Sequence, residues 1–395
     1  MRPDSPRTFY EFFAGAGMAR MGLGQDWTCL FANDFDPAKT LSYETHFGPG
    51  SVRCADINSL RAKDLPPGAS AAPDLAWASF PCQDLSLAGA RAGLSAPRSG
   101  AFYAFWRLVE ELREDNRAPR VVALENVAGL LTSRGGADFA SIISTMTKSG
   151  YHTGALLVDA ADFLPQSRLR LFIIGYLGDA PADLFAAARD ERYSNPALQR
   201  AVEALPKAAR KRFVWWRLPP SPLRNTQLTH VIDWDAPHTW RSASDTRTML
   251  AQMSATQRAR VDSLRKTPGR HVGALYRRIR VEDGKKVQRA EARFDGVAGC
   301  LRTPGGGSSR QFLVVIEDGA VRTRLFSPRE TARLMGMPDD YVLPDGTTKA
   351  LHLTGDGVAA PVVRHLAQSL IEPLLDSPAA GGASERRSAR KAKAA

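Results

Sequence analysis

Residues 8–23 have the sequence TFYEFFAGAGMARMGL, and this stretch decides the fold class. The apolar run at 8–14 predicts a buried strand, Gly15-Ala16-Gly17 interrupts it, and 18–23 predicts the start of a helix. Further strands are predicted downstream at 28–33, 74–79, 121–125 and 169–176, with the apolar spacing of a helix at 101–112. Strands that alternate with helices predict an α/β domain with a mostly parallel sheet.

The middle of the chain loses this alternation. Residues 181–300 gain Pro, Arg and Trp, so we interpret them as an inserted, smaller second domain. Beyond them the sequence predicts a hairpin turned at Asp318-Gly319, a helix at 327–335 and a last amphipathic helix at 361–370. The predicted domains are 1–180 plus 350–378, 181–349, and a disordered basic tail at 379–395.

The net charge of +12 is concentrated in the same middle segment. Residues 181–310 carry 25 basic and 12 acidic side chains, whereas 1–180 carry 17 and 19. Near its start, Lys207, Arg210, Lys211, Arg212 and Arg217 alternate with Phe213, Trp215 and Trp216. Basic residues mixed with aromatic ones are suited to phosphate contact and base stacking, so we expect nucleic-acid contact here.

Other compositional features exclude several classes of protein. No apolar run of about 18 residues predicts a membrane span, and the first nine residues lack the apolar region of a signal peptide. We therefore expect a cytoplasmic chain. The four cysteines (Cys29, Cys54, Cys82 and Cys300) form no CxxC pair, so neither a disulfide framework nor a metal site is predicted.

A ligand site is predicted where the first strands end, because ligands bind beyond the carboxyl ends of parallel strands. Glycines 15 and 17 would let the backbone approach a ligand, although an ordinary tight turn explains them equally well. Asp34 could accept hydrogen bonds from ribose hydroxyls, Phe35 could stack on adenine, and Asp56 could bind its amino group. The spacing is not GxGxxG, which favours a nucleoside cofactor without a pyrophosphate.

A reactive group is predicted on the loop after the strand at 74–79. Cys82 follows that strand directly, although a lone cysteine is more often a packing residue. Glu125 ends the next predicted strand, and Arg168 and Arg170 alternate with leucines, so both would face one side. A thiol, a carboxylate and two guanidinium groups in one crevice favour nucleophilic catalysis, while a solvated strand face would also explain the arginines.

These strings also carry a family resemblance. FAGAG, DFD, PCQ, ENV, QSRLR, SPRETARLMGMPDDY and GDGVAAPVV occur in this order over about the first 175 residues and the last 70 before the tail. In order and content they resemble the bacterial DNA (cytosine-5)-methyltransferases. The resemblance implies a Rossmann-like, S-adenosylmethionine-dependent methyltransferase fold, with the middle segment as the smaller target-recognition domain.

The resemblance also implies a mechanism. Cys82 would attack C6 of a cytosine flipped out of the duplex, which makes C5 nucleophilic toward the methyl group of S-adenosylmethionine. Glu125 would hold the N3 edge, and Arg168 would lie near the base carbonyl and the thiolate. Arg170, Asn126 and Pro81 complete the expected catalytic set.

Further site residues follow from the same resemblance. We expect the cofactor to be bound by the following set: Phe13, Ala14, Gly15, Gly17, Asp34, Phe35, Asp56, Ile57, Asp356 and Val358. We expect DNA contacts from a second set: Gln83, Ser86, Arg302, Gly306, Arg310 and Arg329. The expected partners are double-stranded DNA and a restriction endonuclease of the same system, with no direct contact implied, and the expected state is a monomer acting on the nucleoid.

Two departures from the family pattern and three alternatives stay open at this point. Gly17 is followed by Met18 where the family usually has a second glycine, and Asp356 stands where the family usually has asparagine. An aspartate accepts hydrogen bonds but cannot donate them as an amide does. The alternatives are a tRNA cytosine methyltransferase, an NAD-dependent oxidoreductase, which would leave Cys82 without a task, and a catalytically silent DNA-binding module.

Overall fold

A seven-stranded sheet organises the chain. The computed structural model describes residues 6–68, 72–81, 100–303 and 310–377. The strands of the main sheet are β1 (Arg7–Phe12), β2 (Trp27–Asp34), β3 (Arg53–Cys54), β4 (Leu75–Ala78), β5 (Val121–Val127), β6 (His152–Asp159) and β7 (Leu169–Tyr176). Their order is β3-β2-β1-β4-β5-β7-β6, and only β7 runs antiparallel to its neighbours. The predicted α/β class with a mostly parallel sheet is confirmed.

Helices cover both faces of this sheet. The helices that connect the strands are α1 (Met18–Leu23), α2 (Pro37–Phe47), α3 (Ala101–Glu114) and α4 (Ala137–Lys148). Side chains of β1 alternate between the layers: Phe9 packs with α1, whereas Tyr10 and Phe12 pack with α3 and α4. Period-two alternation in a strand buried on both faces explains why the run at 8–14 is mostly apolar, although Glu11 within it is also buried.

A second, antiparallel sheet follows the main one along the chain. It has the order β11-β10-β12-β13, from β10 (His271–Glu282), β11 (Lys285–Arg293), β12 (Gln311–Glu317) and β13 (Ala320–Leu325). The last two form the predicted hairpin, with Asp318 and Gly319 both at positive φ in the turn. Before it lie β8 (Phe185–Ala186), β9 (Trp215–Trp216), α5 (Pro196–Glu203), α6 (Lys207–Lys211), α7 (Leu228–Val231), α8 (Ala243–Ala251) and α9 (Ala255–Leu264).

The C-terminal helices return to the main sheet. They are α10 (Pro328–Arg333), α11 (Thr347–Asp356), α12 (Ala360–Leu366), a π-helical turn at Ala367–Ile371, and α13 (Glu372–Asp376). Helices α12 and α13 pack beside α1 on the face that Phe9 lines. The described residues contain no helix that is both long and apolar enough to cross a membrane. The predicted tail at 379–395 lies outside the described residues.

The aromatic and basic segment at 207–217 differs from the expectation. Trp216 is only 1% exposed and stacks on Phe185, while Phe213 and Trp215 pack against the layer that contains α3 and α4. The backbone of Val214 donates a hydrogen bond to Thr153 at the edge strand β6. The expectation of base stacking is wrong for Trp216, because that residue is buried, whereas Phe213 and Trp215 are only partly buried and their contact with nucleic acid stays a prediction. Residues 184–218, which we expected in the second domain, therefore pack on the main sheet, and the second sheet begins only at His271.

Candidate active site

The loop between β1 and α1 has an unusual backbone. Phe13, Gly15 and Gly17 all have positive φ, of 55°, 56° and 72°. Phe13 is the notable one, because a side chain disfavours this conformation and such strain clusters at functional sites. At Gly17 a Cβ would come within 2.4 Å of the Phe47 ring, whereas at Gly15 it would meet nothing within 4 Å. The loop is therefore packed on one side at Gly17 and open on the other at Gly15.

The carboxyl end of β2 lies beside this loop. Oδ2 of Asp34 accepts the backbone N–H of Gly15 at 2.8 Å, and Oδ1 accepts that of Asp36 at 2.9 Å. Two backbone donors thus fix the orientation of the carboxylate. The next side chain, Phe35, is 67% exposed, so its ring is free to stack on a ligand.

The segment after β3 completes this edge. Asp56 is exposed and begins a short 3-10 turn, where its Oδ1 accepts the N–H of Asn58 at 2.8 Å, and the neighbouring Ile57 is buried. The structure brings the predicted cofactor residues of β1, β2 and β3 to one edge of the sheet, as the parallel order requires.

The expected cofactor residues near the C-terminus meet the same edge. Nζ of Lys39, in the first turn of α2, lies 2.7 Å from Oδ2 of Asp356 at the end of α11. Val358 lines a small cleft together with Arg168, Arg170 and Phe172. The aspartate that departs from the family pattern thus has a cationic partner.

The strand β4 and its neighbour β5 hold the backbone that leads to the predicted nucleophile. Nδ2 of the buried Asn126 donates to the carbonyl of Phe80 at 3.1 Å, and Pro81 is half-buried. Cys82 itself lies outside the described residues. Asn126, one of the expected catalytic residues, thus holds the backbone two residues before Cys82.

Glu125 and Arg170 form a buried ion pair at the same end of the sheet. Nε of Arg170 lies 3.0 Å from Oε1 of Glu125, and the two side chains are 14% and 7% exposed. Burial raises the pKa of Glu125 above its usual value, and the nearby Arg170, Arg168 and Ser79 offset this only in part. A carboxyl group of this kind can hold a proton more readily than an exposed one.

Arg168 has a different environment from the expected one. Its Nη1 donates to Leu301 O at 2.8 Å, and its Nη2 donates to Gly355 O and Gly357 O at 2.8 and 2.6 Å. The residue is 2% exposed. The prediction that Arg168 lies near a base carbonyl is wrong, because its terminal nitrogens already bind three backbone carbonyls. It joins β7 to two distant segments of the chain.

The residues expected to contact DNA are only partly brought together. Arg302 and Arg310 line one small cleft with Phe326, Leu351 and Thr354. Arg329 was expected to reach DNA, but it donates to Pro338 O and Tyr341 O at 3.2 and 2.7 Å. Two of its N–H groups hold the turn after its own helix, the side chain remains partly exposed, and its contact with DNA stays a prediction. Gln83, Ser86 and Gly306 lie outside the described residues.

Two site residues escaped the sequence interpretation. Ser79 hydrogen-bonds Glu125. It stands two residues before the PCQ string, and this position could have indicated a site residue. Lys39 pairs with a residue 317 positions away, and no local pattern indicates such a partner.

Comparison with known proteins agrees with this geometry. The model of the C-5 cytosine-specific DNA methylase family matches residues 7–372. Type II methyltransferase M.BsuFI of Bacillus subtilis is 25% identical over 370 residues, covering 93% of this chain and 73% of that protein. Type II methyltransferase M.HhaI of Haemophilus parahaemolyticus is 25% identical over 365 residues, covering 92% and 93%.

Solved structures agree on the fold. The methyltransferase EhMeth of Entamoeba histolytica superimposes with a TM-score of 0.62 at 15% identity, over 94% of this chain and 99% of that one. The Dnmt2 methyltransferase of S. pombe gives 0.57 at 17% identity, over 93% and 99%. The Rossmann-like methyltransferase fold is thereby confirmed.

The family match spans nearly the whole described chain, and the family uses S-adenosylmethionine as its methyl donor. The family model is that of a cytosine-specific DNA methylase, and both curated relatives are type II methyltransferases. The chain therefore belongs to the C-5 cytosine-specific DNA methylase family and is a DNA (cytosine-5)-methyltransferase.

Proposed function

We propose that this enzyme methylates cytosine within a specific sequence of double-stranded DNA, through a covalent bond between Cys82 and C6 of a flipped-out base. The observation that carries the proposal is the hydrogen bond from Asn126 to Phe80 O beside the Glu125–Arg170 pair. It fixes the backbone that enters the Pro81-Cys82 loop next to a buried acid. A nucleophile and an acid that flank one crevice suit addition to a pyrimidine ring.

The steps follow from the chemistry of the base. The thiolate of Cys82 adds to C6, and Glu125 donates a hydrogen bond or a proton at N3, so that electron density moves to C5. C5 then takes a methyl group, which S-adenosylmethionine supplies when bound. Loss of the C5 proton to a water-mediated base expels the Cys82 thiolate and restores the ring. The target atom is enclosed in a duplex, so the base must leave the stack first.

The raised pKa of Glu125 suits this role. A carboxyl group that remains protonated at higher pH can donate to the ring nitrogen, while the same group ionised would repel the electron density that N3 acquires. Arg170 lies close enough to stabilise the carboxylate after the proton has moved. We propose that Glu125 is the acid catalyst and that Arg170 stabilises its ionised form.

The edge of the sheet formed by β1, β2 and β3 fits S-adenosylmethionine. A Cβ added at Gly15 would meet nothing within 4 Å, so the space beside this residue is open and leaves room for the ligand to approach the backbone at Phe13 and Ala14. Asp34 has a lone pair on each oxygen beyond those that Gly15 and Asp36 use, which suits ribose hydroxyls. The exposed ring of Phe35 suits adenine, and Asp56 with Ile57 closes the site.

The proposed binding of DNA is argued from positive charge. Arg302 and Arg310 flank one cleft, and Gln83, Ser86 and Gly306 remain predicted contacts. The 25 basic side chains of residues 181–310 supply the counter-charge for a duplex. We propose that the enzyme acts as a monomer on the nucleoid, as the modification enzyme of a restriction–modification system.

The test is covalent capture on duplex DNA that carries 5-fluorocytosine. Fluorine at C5 cannot leave as a proton does, so the bond between Cys82 and C6 would persist and shift the protein in a denaturing gel. Bisulfite sequencing of plasmid DNA from expressing cells first identifies the methylated sequence that the duplex must contain. Wild-type enzyme with S-adenosylmethionine should be captured, and Cys82→Ala should not.

Cys29→Ala is the matched control, because burial raises the pKa of Cys29 to about 12 and removes it as a nucleophile. It should be captured like the wild type. Capture of Cys82→Ala, or methyl transfer to tRNA with none to the duplex, would overturn the proposal. Duplex binding without any capture or methylation would indicate a silent DNA-binding module instead.

A further inference from the structure

The turn from Gly355 to Gly357 is held by two cations, Arg168 just before β7 and Lys39 in α2. Arg168 binds the carbonyls of Gly355 and Gly357 at 2.8 and 2.6 Å, and Lys39 binds the carboxylate of Asp356 at 2.7 Å. Three consecutive residues are therefore fixed, two through the backbone and one through its side chain.

This turn packs against the cofactor loop. A Cβ at Gly357 would lie 2.3 Å from Sδ of Met18, the residue that follows Gly17. A Cβ at Gly355 would lie 2.7 Å from the backbone of Arg302 and Thr303. The turn thus fits between the start of α1 and the segment that leads to the cleft lined by Arg302 and Arg310. Neither glycine has room for a side chain.

Lys39 lies among three carboxylates. Burial lowers its pKa, but Asp356, Asp34 and Asp36 together outweigh that effect, so its pKa is raised and the ammonium stays charged. Its side chain is 16% exposed and that of Asp356 is 42% exposed. The ammonium connects the helix that follows Asp34 to the turn that carries Asp356, two segments 317 positions apart.

We propose that Lys39 is a positioning residue for S-adenosylmethionine. Its ion pair with Asp356 holds the Gly355–Gly357 turn against the Phe13–Gly17 loop, and so fixes the two walls of the cofactor site relative to each other. The inference rests on the cofactor site proposed above. A loosened turn should weaken the binding of the cofactor and of its demethylated product equally, because Lys39 acts on the shape of the site.

The experiment is a double-mutant cycle with Lys39→Met, Asp356→Asn and the double variant, read by calorimetric titration with S-adenosylmethionine and with S-adenosylhomocysteine. Each single variant should raise both dissociation constants by about fivefold, the size that a partly exposed ion pair supports. The double variant should be no weaker than either single one, since each change removes the same interaction. Lys39→Arg should restore binding, and 0.5 M salt should shrink the differences.

The matched control is Asp376→Asn, which breaks the ion pair of Arg7 and Asp376 (2.9 Å) at the opposite end of β1. It should leave both dissociation constants unchanged. Kinetics should show a raised KM for the cofactor with kcat retained, which a general loss of stability would not produce.

Independent effects that multiply in the double variant would overturn the proposal, and so would unchanged binding in both single variants. Tighter binding of the cationic cofactor in Lys39→Met, with the neutral product unaffected, would also overturn it, because Lys39 would then act through charge. Failure of the proposed function is distinguishable, since in that case the wild type itself would neither capture nor methylate the duplex.

Discussion

Nε of Arg170 lies 3.0 Å from Oε1 of Glu125, and this contact joins two strands that run in opposite directions. Strand β5 enters the site at its carboxyl end and β7 at its amino end, with Val127 opposite Arg170 in the register. The single antiparallel strand of an otherwise parallel sheet thus brings a guanidinium to an edge where parallel strands place only their last residues.

The pKa of Glu125 should depend on this contact. Burial raises that pKa, and Arg170 is the strongest of the groups that lower it. In Arg170→Met the pKa should therefore rise further, whereas Arg170→Lys should keep part of the effect. Carbon NMR of enzyme labelled at the glutamate carboxyl carbon, assigned with Glu125→Gln, measures both values. An unchanged titration in Arg170→Met would contradict the pairing.

Glu125→Gln should reduce kcat by roughly 10²–10⁴-fold, the contribution typical of a positioned acid. Gln keeps the shape of the side chain and its hydrogen bond to Ser79, so the fold should be retained. Circular dichroism checks the fold, and single-turnover methylation of a duplex measures the rate. A rate within threefold of the wild type would remove Glu125 from the chemistry.

Phe35 should contribute to cofactor affinity without contributing to stability. Its ring is 67% exposed in the described structure, so Phe35→Ala should leave the melting temperature unchanged and weaken S-adenosylmethionine binding by about tenfold through lost stacking. Leu41 on α2 is 65% exposed and provides the control. Leu41→Ala should change neither quantity, and equal losses in the two variants would show that general surface effects are responsible.

The sequence predicted most of the main sheet, because its central strands are apolar on both faces, but it did not predict β6 (His152–Asp159). β7 begins and ends where expected, and the helix at 101–112 ends two residues later than predicted. Short apolar runs bounded by glycine and polar residues are a local signal, and the parallel order then requires their carboxyl ends to meet. The position of the predicted cofactor residues Asp34 and Phe35 at this edge follows from that requirement.

The second sheet was harder to predict for an equally physical reason. Strands β10 and β11 carry charged side chains at 9 of their 21 positions. The partners of these charges are visible only across the hairpin, where Arg280 meets Glu291 at 2.6 Å. The partners of Arg168 were equally invisible in the local sequence. Alternation with leucines placed it beside Arg170, but the carbonyls that bind it come from residues more than 130 positions away.

The ion pair of Arg324 and Glu330 should be essential for stability. Two contacts of 2.6 and 2.7 Å join these side chains, which are 2% and 0% exposed, and link β13 to α10. Glu330→Gln would leave a buried guanidinium without its counter-charge, so it should lower the free energy of unfolding by about 3–5 kcal/mol. Urea denaturation measures this loss.

Glu317 on the neighbouring strand is the control for that measurement. It pairs with Arg270 and Arg322 at the surface, so Glu317→Gln should cost less than about 1 kcal/mol. Similar losses in the two variants would mean that burial does not set the strength of these pairs.

Glu11 should make stability depend on pH. It is 1% exposed in β1, and burial raises its pKa from 4.5 to about 7, against the lowering effect of the hydrogen bond from Tyr43. A carboxyl group with a raised pKa in the folded state stabilises the fold fully below its unfolded pKa, and this contribution is lost as the pH rises through the folded pKa.

Glu11→Gln does not titrate. Relative to that variant, the wild type should therefore lose on the order of 2–3 kcal/mol of unfolding free energy between pH 4.5 and 8. Urea denaturation of both proteins at each pH measures the difference, in which the titration of all other groups cancels. Tyr43→Phe removes the hydroxyl that stabilises the carboxylate, and should extend the loss to higher pH. A difference between the wild type and Glu11→Gln that stays constant over this range would show that Glu11 does not change its protonation state there.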